Sequence, residues 1–158
     1  MTPTNNNDAK AQPYIKSRFI EHPSEQDVLE LSKYFLLGEP FISFEADDLR
    51  DMFKDAENAV VLYGTTTTGT NRCLNALENT AVVCSTIAEE YNLYSADKAL
   101  LIYYSPIVNS MVMSDMDGFN IFVDRFNINT DWLWGASLNN DIPEFGALLI
   151  ATNLKKRT

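Results

Sequence analysis

The chain has 158 residues, 46% hydrophobic, 11% aromatic and 22% charged, which suits one globular domain burying about two thirds of the surface of its unfolded chain. A disordered tail or a collagenous repeat has no such composition. The formal net charge of −10, from 22 acids against 12 bases, repels phosphate backbones, so no nucleic-acid partner is expected. The only basic cluster, Lys155-Lys156-Arg157, reads as a solvated tail.

Two cysteines and one histidine fall short of the three or four ligands of a protein zinc site, and no metal or cofactor is expected. Cys73 and Cys84 stand among apolar or small neighbours and read as reduced core thiols. His22, ahead of Pro23, reads as a surface residue where a helix begins. The polar amino terminus, Thr4 to Asp8, lacks the apolar stretch of a secretory signal, and the uncharged Ala99–Ser114 run carries Pro106 and is too short to span a bilayer as a helix. A soluble, cytoplasmic chain without a membrane partner is expected.

In chain order, residues 1–14 read as a flexible leader and 15–40 as a helical lead-in to a domain at 41–154. Ser24 with Asp27 forms a capping-box pattern, and Val28, Leu31 and Phe35 recur at helical spacing until Gly38. Phe41 to Phe44 is a short extended stretch. Asp47 or Asp48 then caps a helix whose Leu49, Met52, Phe53 and Ala56 line one face. Asn58–Tyr63 reads as a strand, bounded by turn residues.

Gly64-Thr65-Thr66-Thr67-Thr68-Gly69-Thr70 lies between a strand and a helix, where backbone amides often cradle phosphate. It lacks the Gly-Lys-Ser/Thr ending, and a plain strand-to-helix turn is the simpler reading. A long helix follows from Asn71 toward Glu90, then a strand from Lys98 through Tyr104. A further helix is expected from Ser114 and Asp117 through Phe126, with Gly118 weakening its first turn. Strands at 131–138 and 145–152 complete the set, joined by a loop of hairpin length at Asn139–Pro143 and expected to pair antiparallel. This order predicts an α+β two-layer sandwich, with a four-stranded mixed sheet and helices on one face.

The order of motifs resembles the carboxyl-terminal domain of FtsZ, of the tubulin/FtsZ family. Asp48-Leu49-Arg50-Asp51-Met52-Phe53 is similar to the family's Asp-Val-Lys-Thr-Val-Met helix. Gly64 through Gly69, Asn71 and Arg72 resemble its Gly-x-Gly-x-x-x-Gly-x-Asn-Arg turn, with Thr66 replacing the second glycine. Trp134-Gly135 through Asn139 resembles Phe-Gly-x-x-Ile-Asn, and Leu149-Ile150-Ala151-Thr152 the closing Val-Ile-Ala-Thr. The resemblance spans roughly residues 41–153.

In the family a separate amino-terminal domain binds GTP, and the residues ahead of Phe41 are too few to form one, so bound GTP is not expected. The family's Asn-x-Asp-x-x-Asp loop reaches the nucleotide of the next subunit. It aligns with Ser43-Phe44-Glu45-Ala46-Asp47-Asp48, so the resemblance implies a partner contact through Phe41, Ser43, Phe44, Glu45 and Asp48. Ser43 replaces the amide, and Glu45 is one methylene longer than Asp, a change that matters to any water-positioning carboxylate. The plainer reading of these acids is a capped helix amino terminus.

Three functions follow. The first is a non-enzymatic protein-interaction module, for cell division or filament regulation, whose partner is an FtsZ/tubulin-like filament subunit. The second supplies Glu45 and Asp48 as catalytic residues in trans to a partner's GTPase site. The third is a small-molecule binding domain with Trp132, Trp134, Tyr103 and Tyr104 around a pocket, although aromatics at alternate strand positions usually belong to a core.

Overall fold

The computed structural model describes residues 15–42, 44–139 and 144–158. The proposed leader at 1–14, Ser43, and most of the Asn139–Pro143 loop lie outside the described residues.

The four strands read from the sequence lie in one mixed sheet, and the α+β class stands. They are β3 (Asn58–Thr66), β5 (Lys98–Pro106), β6 (Asp131–Asn139) and β7 (Phe145–Thr152). Two short strands extend it, β1 (Arg18–Glu21) and β2 (Glu39–Ile42), giving the order β1-β3-β7-β5-β6-β2. β1 falls inside the lead-in expected to be helical; it pairs antiparallel with β3, Arg18 opposite Val61. A second, two-stranded ladder joins β4 (Tyr91–Asn92) to β8 (Lys155–Lys156).

The expected hairpin between the last two long strands is not formed. β7 inserts between β3 and β5 and is antiparallel to both, whereas β6 lies beyond β5 and runs parallel to it. The physical reason is in their side chains. Every residue of β7 is buried, as suits a central strand covered on both faces. The first half of β6 is half-exposed to exposed up to Trp134, as suits an edge.

Helices cover both faces. α1 (Glu25–Ser32), the 3-10 turn after it and α2 (Ala46–Phe53) bring Val28, Leu31, Leu49 and Met52 onto Val61, Leu100, Ile102 and Leu148. The long α3 (Arg72–Ile87) and short α4 (Phe119–Val123) share the opposite face with Val60, Leu62, Leu101 and Leu149. The common face expected for the helices after 71 and 114 is thus found. The single helical layer is corrected, because α1 and α2 cover the other side of the sheet. Each fully buried leucine contributes roughly 1.5–3 kcal/mol, and the alternation of strand side chains divides them between two cores.

α3 runs unbroken through Val82-Val83 and packs close to β3 at Gly64, where a Cβ would lie 2.4 Å from the Ala76 carbonyl oxygen. The helix expected at 114–126 is instead a 3-10 turn, Met113–Met116, followed by α4. Gly118 separates the two, and a Cβ there would meet Leu74 at 2.7 Å. No helix among the described residues is long and apolar enough to cross a membrane.

Candidate functional site

The acidic segment forms the amino-terminal end of α2. Glu45, not Asp47 or Asp48, is the N-cap residue. Asp48, at the third helical position, accepts the Glu45 backbone N–H at 2.8 Å. The carboxylate read as a candidate for chemistry in trans therefore holds its own helix end closed. Asp47 pairs with Arg50, and Arg50 donates to both carboxylate oxygens of Glu25 on α1, at 2.9 and 2.6 Å. That hydrogen bond lowers the Glu25 pKa, and Arg50 is raised in turn. Glu45 is exposed.

Phe44 is half-buried and packs edge-on against Phe35, ring centroids 5.8 Å apart. It belongs with the core more than with a free surface. Phe41 lies in β2, whose ladder with β6 is irregular between Pro40 and Ile42. Of the five residues implied in partner contact, Glu45 and Asp48 are thus brought together at the helix end, with Phe44 turned inward behind them.

Beside this end opens a cleft of about 440 Å³ lined by Asp48, Asp51, Met52, Lys98, Asp131 and Leu133. It joins α2 to the exposed half of β6. Asp51 and Asp131 are exposed, and Leu133 and Trp134 keep 39% and 40% of their surface in solvent. The sequence marks Asp131–Leu138 as a strand, but its position at an edge follows from the sheet order. The available signal was the Asp-Trp-Leu-Trp-Gly run, which departs from the continuous aliphatic run of a central strand.

The threonine-rich turn is a self-contained connection, as its sequence suggests. Thr66 and Thr68 hydroxyls lie 2.9 Å apart, and the Asn75 amide donates to the Thr68 hydroxyl at 2.9 Å and the Thr70 carbonyl at 3.0 Å. A cavity of about 380 Å³ lies between this turn and the chain at 106–112, with Arg72 in its wall. Arg72 is committed elsewhere. Its guanidinium donates to Asp115 at 3.0 and 2.7 Å, to the Asn109 carbonyl at 2.7 Å and to the Ser110 carbonyl at 3.0 Å, and it stacks over Phe145. Burial would raise the Asp115 pKa, but Arg72 and the Val112 N–H outweigh it and hold the carboxyl below its ordinary value.

Cys73 and Cys84 are buried thiols, pushed up to about 12 and about 11 by burial. His22 is exposed between β1 and α1. The aromatic pocket is corrected: Tyr103 and Tyr104 are neighbours on one strand and enter opposite cores, Trp132 packs on Phe126, and Trp134 lies at the edge. These four side chains do not converge. Among the described residues no group of three or more His, Cys, Asp or Glu is placed to hold a metal ion.

No protein-family model matches the chain, and no curated protein matches it. Its fold does match solved structures. An empty FtsZ dimer from M. jannaschii aligns with 76% of this chain and 37% of its own, at 16% identity and a TM-score of 0.58. An FtsZ mutant from the same organism aligns with 82% of this chain and 39% of its own, at 14% identity and a TM-score of 0.58. A GTPγS-form protofilament of TubZ from Bacillus thuringiensis serovar israelensis aligns with 83% of this chain and 35% of its own, at 9% identity and a TM-score of 0.51. The chain therefore spans under two fifths of these proteins, and over that span it has the fold of the FtsZ carboxyl-terminal domain that its motifs resemble.

Proposed function

We propose that this chain is a non-enzymatic protein-interaction module that docks on a filament subunit of FtsZ type through the amino-terminal end of α2 and the adjoining cleft. The observation that carries the reading is the meeting of exposed acids, Asp51 and Asp131, with exposed Leu133 in one cleft, next to the helix end that exposed Glu45 caps. An apolar contact rimmed by charge is the ordinary composition of a protein interface. The dimeric and protofilament forms of the solved structures it resembles support a partner of related fold. Asp48 is engaged as a helix cap, which favours docking over supply of a catalytic carboxylate in trans.

The test is co-sedimentation with purified, GTP-assembled FtsZ, comparing wild type with Glu45→Lys/Asp51→Lys. Both side chains are exposed and the Asp48 carboxylate can still accept the main-chain N–H of residue 45, while lysine at the N-cap position costs about 1 kcal/mol. Loss of co-sedimentation by the variant, with wild-type circular dichroism, supports the reading; equal co-sedimentation of both overturns it. Phosphate release measured in the same mixtures separates the reading in trans, since acceleration that disappears in Glu45→Ala would make the chain an activator. Turnover of GTP by the chain alone would end the non-enzymatic assignment.

A further inference from the structure

The sheet is closed unevenly at β6. Its inner side pairs with β5 along the whole strand, from Lys98 opposite Asp131 to Pro106 opposite Asn139. Its outer side is paired by β2 only at Ala136, Ser137 and Leu138. Among the described residues no strand lies outside Asp131–Gly135.

The direction of the free groups follows from the ladder. Asp131 donates its N–H inward to the Asp97 carbonyl at 2.9 Å. In a parallel ladder alternate residues direct both main-chain groups to the same side, so Leu133 also faces β5, and Trp132 and Trp134 present N–H and C=O outward. Such a row is a template for another strand, and proteins normally blunt it with a bulge, a proline or a lysine. The segment Asp131-Trp132-Leu133-Trp134-Gly135 has neither proline nor lysine. Trp134 and Leu133 instead add exposed apolar surface, on opposite faces of the edge.

We propose that the Asp131–Gly135 edge of β6 accepts an extended, lysine- or arginine-bearing segment of a partner protein as an added strand. The proposal rests on the reading of the chain as an interaction module and gives the partner its chemistry. Two occupants compete for the edge. A second copy of this chain, antiparallel about Leu133, would set Trp132 opposite Trp134, a favourable cross-strand pair. It would also bring two chains of net charge −10 together, with Asp48, Asp51 and Asp131 of each along one seam and Lys98 as the cleft's cation. That repulsion disfavours the second copy. The same charges attract a basic strand, whose main-chain groups satisfy the edge while its basic side chains lie over the acidic Asp131–Leu133 face and its apolar ones meet Trp134 on the other.

The protein carries its own reporter, since both of its tryptophans are in this strand. The experiment titrates the full chain with a short peptide alternating lysine and valine and follows tryptophan fluorescence. A saturable spectral shift is expected, weakened by added salt. The same peptide N-methylated at the amides that would face β6 should bind about tenfold or more weakly, from the loss of roughly two hydrogen bonds. A glutamate–valine peptide should leave the spectrum unchanged. Equal affinity for the N-methylated peptide, equal binding of the glutamate peptide, or no saturable shift overturns strand addition by a basic segment. Concentration-dependent dimerisation with a tryptophan shift, measured without peptide, overturns it in favour of a second copy. Retained co-sedimentation with FtsZ alongside failed peptide binding would refute this proposal alone, and the reverse outcome would refute the docking reading.

Discussion

Replacing Asp115 by alanine should destabilise the protein more than any surface substitution. The Asp115 carboxylate is 2% exposed and the Arg72 side chain 11% exposed. Asp115 accepts two hydrogen bonds from Arg72 and one, at 2.9 Å, from the Val112 N–H. Its removal leaves a guanidinium in a nearly closed site with only the Asn109 and Ser110 carbonyls as acceptors. Breaking a buried pair by removing one partner costs about 3–5 kcal/mol, equivalent to a fall in Tm of roughly 6–20 °C for a chain of this size. Urea unfolding followed by circular dichroism measures the loss. The double variant Arg72→Met/Asp115→Leu should recover much of it, because no charge is then left without its partner. A loss under about 1 kcal/mol for Asp115→Ala would refute the view that this pair holds the 107–116 segment to α3.

Acid should act through the same group. The folded-state pKa of Asp115 is depressed, so its contribution is complete above the unfolded value near 4 and is lost as pH falls through the folded value. Stability of Asp115→Asn should lack that part of the acid dependence, as measured by urea midpoints across the window. Glu25 and Glu78, lowered by Arg50 and Arg125, add smaller surface effects of the same sign. Gly64→Ala should cost about 1–3 kcal/mol in the same unfolding assay, because its Cβ would lie 2.4 Å from the Ala76 oxygen and 2.7 Å from the Thr80 nitrogen; a neutral effect would mean that α3 shifts freely. Iodoacetamide at mildly alkaline pH should modify Cys73 and Cys84 far more slowly in the native protein than in urea, since burial holds both thiols protonated; rapid native labelling followed by mass spectrometry would contradict this.

Much of the fold was legible from local signals. Ser24 and Asp27 form the reciprocal cap that their spacing predicts, with Ser24 N–H to the Asp27 carboxylate at 2.8 Å. The four long strands lie where apolar runs place them. Strand order is not legible, because the length of a loop does not decide whether the strands it joins pair, and pairing between distant segments leaves no local mark. β2 illustrates this: its partners are Ala136, Ser137 and Leu138, about a hundred residues away in the chain. At the candidate site, Asp48 was legible as a helix-end acid. Its cleft partners Asp131 and Leu133 were not, since only the sheet's order brings the start of β6 beside α2. The break at Gly118 was visible as a weak first turn, while the Arg72–Asp115 tether that sets the preceding segment has no signature in spacing.

The position of β7 bears on how the chain folds during synthesis. β3 and β5 lie on either side of it and do not pair with each other, so neither meets its central neighbour until Thr152 has been made. At roughly 5–20 residues per second, the nascent chain carries two long apolar strands with facing open edges for several seconds before β7 arrives. Those edges are sites for non-native association during that interval. The sheet therefore closes late and cooperatively, and a chain released before β7 is complete lacks the strand that joins its two halves.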